Sequence, residues 1–266
     1  MKIAIVTGAS SGMGREFVTQ LEGYVTVDEI WVIARRREAL EALNGLTKAT
    51  LRPIPLDLCE KESFETLAAL LEAEKPEVAL LVNAAGFGKF GSWHKISVED
   101  DLKMIDLNCK ALVAMTRLVL PHMGKDSHVL QLDSLSAFQP VPYINTYAAT
   151  KSFVLSYTRG LNRELKGSGI RIMAMNPGWV KTEFFDHAFQ TNGASEVQYF
   201  NHLYEAKDVV ATGLRALYRT KRDYYVHGFP IQAQVALVKL LPHSIVMSVW
   251  QNQQRKPKNN KGLTTK

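Results

Sequence analysis

Residues 7–14 read Thr-Gly-Ala-Ser-Ser-Gly-Met-Gly, TGASSGMG, and the fold follows from how that octet is parsed. Taken as Gly8-Ala9-Ser10-Ser11-Gly12 it is a G-x-S-x-G turn, the elbow that presents a nucleophilic serine in acyl hydrolases. Taken as Gly8, Gly12 and Gly14 it is a glycine-rich dinucleotide turn. The hydrolase elbow needs an earlier loop to donate part of its oxyanion hole, and too few residues precede Ser10 to build one. The dinucleotide turn needs a strand, a glycine turn and a helix start in that order. Ile3–Val6, the glycines and Arg15-Glu16-Phe17 supply all three. Glycine permits positive φ and close approach of a pyrophosphate, while a helix N-terminus offers free N–H groups to an anion.

Outward from this turn, short apolar runs alternate with stretches of helical period. Lys2–Thr7, Ile30–Ala34, Thr50–Leu56, Val78–Val82, His128–Leu132, Ile170–Met175 and Tyr224–Val226 read as strands. Their unbroken apolar character suits a parallel sheet covered on both faces. Val98–Met123 and Asn145–Lys166 read as helices; in the second, Val154, Thr158, Leu161 and Leu165 recur at helical spacing before Gly167 and Gly169. The pattern predicts one α/β domain over residues 1–250: a doubly wound, Rossmann-type, mainly parallel seven-stranded sheet with its ligand beyond the strand ends beside the first strand.

Composition narrows the function. The chain has 266 residues, 46% of them hydrophobic, enough for a sizeable core. Cys59 and Cys109 form neither a disulfide framework nor a zinc motif, and the seven histidines show no metal spacing, so no metal is expected. The opening MKIAIVTG enters a strand directly, so no secretory leader is expected and the cytoplasm is the expected compartment. The net charge of +6 does not imply nucleic acid. Residues 251–266 hold five basic residues and no acid, leaving +1 for everything before, and this tail reads as solvated and unstructured.

Tyr147-Ala148-Ala149-Thr150-Lys151 places a phenol and an ammonium four residues apart on one helix face. The ordered set of TGASSGMG, NAAG at 83–86, Ser134 after a strand, YAATK at 147–151 and NPGWVKT at 176–182 resembles the short-chain dehydrogenase/reductase family, from Lys2 to about Gly228. The resemblance implies that Tyr147 exchanges a proton with the substrate oxygen, Ser134 holds that oxygen, Lys151 serves Tyr147 and the nicotinamide ribose, and Asn108 supports a relay to the lysine. It also implies a cofactor cradle of Gly8, Ser10, Ser11, Gly12, Met13 and Gly14, with Asp57 and Leu58 near the adenine. Asn83, Ala84, Ala85 and Gly86 abut the cofactor in this reading, and Pro177, Gly178, Val180 and Thr182 lie under the nicotinamide. The family more often has a second Asn where Ala84 stands, and Asp133 before the serine is also less usual. A strand continuing through Asp133 would turn its side chain away from Ser134.

About twenty residues beyond the glycines, where a carboxylate would hold a free ribose hydroxyl, stand Ala34 and then Arg35-Arg36-Arg37. Arg35 and Arg36 predict NADP(H), since a guanidinium pairs with the 2′-phosphate that an acid would repel. Residues 183–204 fall where the family's substrate loop varies. Tyr143, Trp179, Phe184 and Phe185 predict an apolar wall there and a bulky hydrophobic carbonyl or alcohol, steroid-like or lipid-like. A nucleotide-binding sensor or scaffold on the same fold is the alternative, opposed by the intact Asn108, Ser134, Tyr147 and Lys151. Apolar residues on more than one face of the two long helices, including Leu112, Val113, Met115 and Leu118, predict a homodimer or homotetramer. Ile231–Trp250 predicts two short helices around Pro242, packed beside the substrate entrance or a neighbouring subunit. A second reading of that segment is peripheral contact with an anionic membrane, with Trp250 at the interface.

Overall fold

A computed structural model describes residues 1–255. The basic tail expected over 251–266 lies outside the described residues from position 256 onward. Seven parallel strands form one sheet in the order β3-β2-β1-β4-β5-β6-β9. They are β1 (Lys2–Thr7), β2 (Glu29–Ala34), β3 (Thr50–Pro55), β4 (Glu77–Asn83), β5 (His128–Leu132), β6 (Arg171–Asn176) and β9 (Tyr224–Val226). Each expected strand is present within a residue or so of its expected bounds.

The apolar runs are unbroken because both faces of the sheet are covered. Along β1, Ala4 and Val6 point into one layer with Phe17, Val18, Val209 and Leu214, while Ile3 and Ile5 point into the other with Trp31, Leu67 and Met115. The first layer is closed by α1 (Gly12–Gln20) and α8 (Ala206–Arg219). The second is closed by α3 (Lys61–Glu74) and the long helix from Val98. A short helix, α2 (Arg37–Glu41), follows β2.

The strand order reverses beside β1, whose neighbours are β2 and β4, and a crevice opens there beyond the carboxyl ends. The helix expected over 98–123 is continuous but not uniform. It runs as α4 (Val98–Ile105), a wider π-turn over Asp106–Ala111, and α5 (Leu112–Val119), ending in a tight turn at Leu120–His122. Ser97 caps its start by accepting the Asp100 N–H at 3.0 Å, and Glu99, Asp100 and Asp101 complement the positive helix end. The helix α6 spans Asn145–Glu164.

Past β6 the chain departs from simple alternation. A second, two-stranded parallel sheet pairs β7 (Trp179–Lys181) with β8 (Leu203–Glu205). It closes the base of the expected substrate loop, within which α7 (Phe184–Ala188) forms. The final segment makes two helices, α9 (Phe229–Val238) and α10 (His243–Gln254), with Pro242 at the N-cap of the second. Among the described residues no helix is long and apolar enough to cross a membrane.

Candidate active site

The octet at 7–14 turns from β1 into α1 at the mouth of the crevice. Gly8 has φ +65°, and a Cβ there would sit 2.8 Å from the Ala84 carbonyl group. Gly14 has no room either, since its Cβ would meet the Gly8 carbonyl oxygen at 2.0 Å. These glycines let strand, helix and the 84–86 loop close on one another. Thr7 fixes that loop by accepting the N–H groups of Ala84 at 3.0 Å and Ala85 at 3.1 Å. The N-terminus of α1 carries no side-chain cap and no acid in its first turn. It presents backbone donors to the crevice, which fits a pyrophosphate.

One continuous cavity of about 690 Å³ runs from this turn to an aromatic end lined by Phe90, Trp179, Phe184 and Phe185. Its lining takes in Gly8, Ser10, Ser11, Gly12, Met13 and Gly14 from the turn, and Arg35, Arg36, Asp57 and Leu58 beyond β2 and β3. Ala84, Ala85 and Gly86 line its floor, with Pro177, Gly178, Val180 and Thr182 opposite. Arg35 lies 4.0 Å from Asp57 across the adenosine end, and Arg36 approaches both Ser10 Oγ at 3.5 Å and Glu183 at 3.4 Å.

Tyr147 and Lys151 face the cavity from successive turns of α6. The Lys151 ammonium is buried, donates to the Leu132 carbonyl at 2.7 Å, and lies 5.6 Å from the Tyr147 ring centre. Ser134, just past β5, has its hydroxyl toward that of Tyr147 and accepts from the Ser136 N–H and hydroxyl at 3.2 and 3.1 Å. Burial pushes the Tyr147 phenol well above its usual range, against the pull of the Ser134 hydrogen bond. Burial also lowers the affinity of Lys151 for its proton, and the nearby Asp133 carboxyl opposes that loss. A bare phenol so held is a proton donor, and forming phenolate requires further positive charge beside it.

Asn83 and Tyr143 do not line the cavity, and Asn108, expected to support a relay to Lys151, stands directly behind Gly86. Asn83 does not reach the cavity: it is buried under the sheet, donating to Thr116 at 3.1 Å and to Gln131 at 2.9 Å. Asn108 sits behind the wall, in the π-turn, and spends its amide on Phe87 N–H at 3.1 Å, Phe87 carbonyl at 2.9 Å and Thr150 at 3.0 Å. It braces the 86–87 loop against α6. Tyr143, expected in the substrate wall, is not part of the lining. Its backbone takes φ +71°, its carbonyl accepts the Gly91 N–H at 2.7 Å, and its side chain packs against the aromatic cluster.

Trp179, Phe184 and Phe185 do line the substrate end, and they surround a residue not expected there. Phe90 is fully buried and meets the rings of Tyr147, Trp179, Phe184 and Phe189 at 5.7–6.2 Å between centres. Trp250 from α10 stacks on Trp179 at 6.4 Å, and its indole N–H donates to the Pro142 carbonyl at 2.9 Å. The Trp250 side chain, offered for a membrane interface in the second reading, is directed at Trp179 and Pro142, beside the substrate end as the first reading had it.

A family model for short chain dehydrogenases matches residues 2–193. The chain belongs to the short-chain dehydrogenase family. One relative of this dehydrogenase is the NADP-dependent 3-hydroxy acid dehydrogenase YdfG of Escherichia coli strain K12, 31% identical over 249 residues, 90% of this chain and 94% of the relative. Among solved structures, the closed form of a serine dehydrogenase complexed with NADP+ superposes with a TM-score of 0.73 at 30% identity, covering 84% of this chain and 93% of that one. A short-chain dehydrogenase from Sphingobium yanoikuyae in complex with NADPH shares the fold, with a TM-score of 0.76 at 22% identity and 98% of each chain covered.

Proposed function

We propose that this dehydrogenase exchanges a hydride between NADP(H) and a carbonyl or secondary alcohol carried on a bulky, apolar, uncharged molecule. Membership of the family and the NADP-dependent relatives support the reaction class. Ala34 followed by Arg35 and Arg36 supports the cofactor, because no carboxylate stands where it would repel a 2′-phosphate. The bound cofactor supplies the hydride, and the protein supplies position and a proton. In reduction Tyr147 gives its phenolic proton to the carbonyl oxygen while the Ser134 hydroxyl donates to the same oxygen as charge develops. Lys151, held by the Leu132 carbonyl, favours the resulting phenolate.

The observation that carries the substrate reading is that, among the described residues, no lysine or arginine stands free at the aromatic end. Arg35 and Arg36 flank the adenosine end, Lys89 is held by the Gln190 carbonyl at 2.8 Å and Asp100 at 4.0 Å, and Lys103 pairs with Glu99 at 2.6 Å. Lys151 is occupied beneath Tyr147. A 3-hydroxy acid would bring a carboxylate into a chamber of Phe90, Trp179, Phe184 and Phe185 in which, among the described residues, His187 is the one basic side chain not already named. The test is a panel of bulky neutral ketones set against 3-oxo and 3-hydroxy acids, with NADPH or NADP+ consumption read by absorbance. Higher kcat/KM for the neutral panel is expected, and preference for the acids refutes the reading.

The working form is a homo-oligomer built on α4 and α6. Leu112 and Met115, two residues whose pattern suggested this, are buried within the subunit; the apolar row left exposed is Val98, Leu102 and Ile105, with Phe153 on α6. Leu102→Glu is expected to reduce the mass measured by light scattering, and an unchanged wild-type monomer refutes the oligomer.

A further inference from the structure

Among the described residues Asp133 is the only buried aspartate or glutamate, and the roles assigned above leave it unused. It directly follows β5, and its N–H donates to the Met175 carbonyl at 2.8 Å. Its Oδ2 accepts from Asn176 Nδ2 at 2.5 Å, and the same amide nitrogen donates to the Ser134 carbonyl at 3.1 Å. The second oxygen of each side chain, Asp133 Oδ1 and Asn176 Oδ1, is buried and has no donor. Two side chains already joined by one hydrogen bond therefore hold two orphaned acceptors. An ionised carboxylate leaves both unsatisfied, at the full cost of burying them. A protonated carboxyl supplies the missing donor, its O–H to the amide oxygen and the amide N–H to its own carbonyl oxygen.

The groups around this carboxyl are those of the proposed proton chemistry. Lys151 and Tyr147 face it from α6, and Lys151 donates to the carbonyl of Leu132, the residue just before Asp133. Cys109, from the π-turn, is the remaining titratable side chain near Lys151. From β6 comes the neutral Asn176.

We propose that Asp133 is a positioning residue acting through charge: it holds a proton that leaves the site before that of Tyr147, and the carboxylate so formed keeps Tyr147 in its proton-donating form. The proposal rests on the reading of Tyr147 as proton donor. With Asp133 protonated, the buried charge beside Tyr147 is a single ammonium, which draws the phenol toward phenolate. As pH rises the Asp133 O–H breaks, its proton passes to solvent, and a buried carboxylate then offsets the charge of the nearby ammonium. The pull of the ammonium on Tyr147 is then largely cancelled. Burial pushes the Asp133 carboxyl up to about 8, with the Lys151 ammonium, the Asn176 hydrogen bond and the Ser134 backbone N–H opposing, while burial pushes the Tyr147 phenol further above its own usual range, so the carboxyl gives up its proton first. Carbonyl reduction is thereby sustained to higher pH, and alcohol oxidation is delayed.

Asp133→Asn isolates the effect, because an amide can make both hydrogen bonds to Asn176 and does not titrate. In the NADP+-loaded enzyme the rise of kcat/KM for alcohol oxidation with pH is expected to move down by about one pH unit, with NADP+ affinity unchanged. Coincident profiles overturn the proposal. Carbon NMR of full-length protein labelled at aspartate carboxyls is independent of turnover: one resonance titrating near 8 is expected in the wild type and absent from the variant. No such resonance in the wild type overturns the proposal even where the variant fails to fold. Failure of the underlying reading shows separately, as retained turnover in Tyr147→Phe.

Discussion

The preference for NADPH over NADH is expected to reside in two exposed guanidinium groups, and the structure sets its size. The Arg35 side chain is 76% exposed and that of Arg36 57%, so neither meets a 2′-phosphate in a dry site. A charge-assisted hydrogen bond contributes roughly 1.5–3 kcal/mol, and solvent at these exposures reduces that to about 1 kcal/mol for each arginine. Arg36 must also leave Glu183, at 3.4 Å; that exposed pair stabilises little, so its loss takes only a few tenths of a kcal/mol from the gain. At roughly 1.4 kcal/mol per factor of ten, Arg35→Ala is expected to lower the preference about fivefold and Arg35→Ala/Arg36→Ala together about fifteenfold. Glu183→Gln removes the competitor and is expected to raise the preference up to about twofold. The assay is the ratio of kcat/KM for NADPH to that for NADH at fixed low ionic strength, repeated in high salt, where screening should shrink it. A ratio unchanged in the double variant would refute the placement of the phosphate between these residues, and a wild type indifferent to the two cofactors would refute the cofactor assignment itself.

Tyr147→Phe deletes one hydroxyl and keeps the ring against Phe90, so turnover should fall roughly 10²- to 10⁴-fold with NADPH affinity within about twofold by fluorescence titration. Wild-type stability should fall relative to Asp133→Asn between about pH 4 and about pH 8. The carboxyl is raised in the folded state, so its stabilising contribution is complete below the unfolded value and lost as pH passes the folded one; parallel urea midpoints across that window would contradict this. A chain ending at Val249 loses the Trp250 bond to Pro142 and the two backbone bonds that Gln254 accepts from Gln198 and Tyr199, so the ketone KM should rise while NADPH affinity holds.

The cofactor half of the site was legible because its signals are local. Glycines at 8, 12 and 14 sit within one turn, Tyr147 and Lys151 are neighbours by helical period, and each strand announced itself as a short apolar run. Positions of Asn83 and Asn108 were legible too, but not what their amides do. Asn83 is claimed by Thr116 and Gln131, 33 and 48 residues away, and Asn108 by Phe87 and Thr150. Such partners are fixed by packing between layers, and no period in the chain encodes them.

The substrate end is assembled almost wholly from contacts of that second kind, which is why Phe90 and Asp133 were passed over. Phe90 lies in a glycine-flanked loop with no periodicity, and only the folding of residues 183–204 over it makes it the centre of an aromatic cluster. That loop in turn is fixed from 56 residues downstream by Gln254, and Trp179 is backed by Trp250. Asp133 was expected only to point opposite to Ser134 if the strand continued. β5 ends at Leu132, and what the chain could not show is that the acid meets Asn176 from the neighbouring strand. The two ends of the cavity thus follow different rules. A turn that grips a common cofactor can be specified by eight consecutive residues, whereas a chamber that selects one substrate is set by side chains that meet only after the sheet, the loop and the last helix have packed.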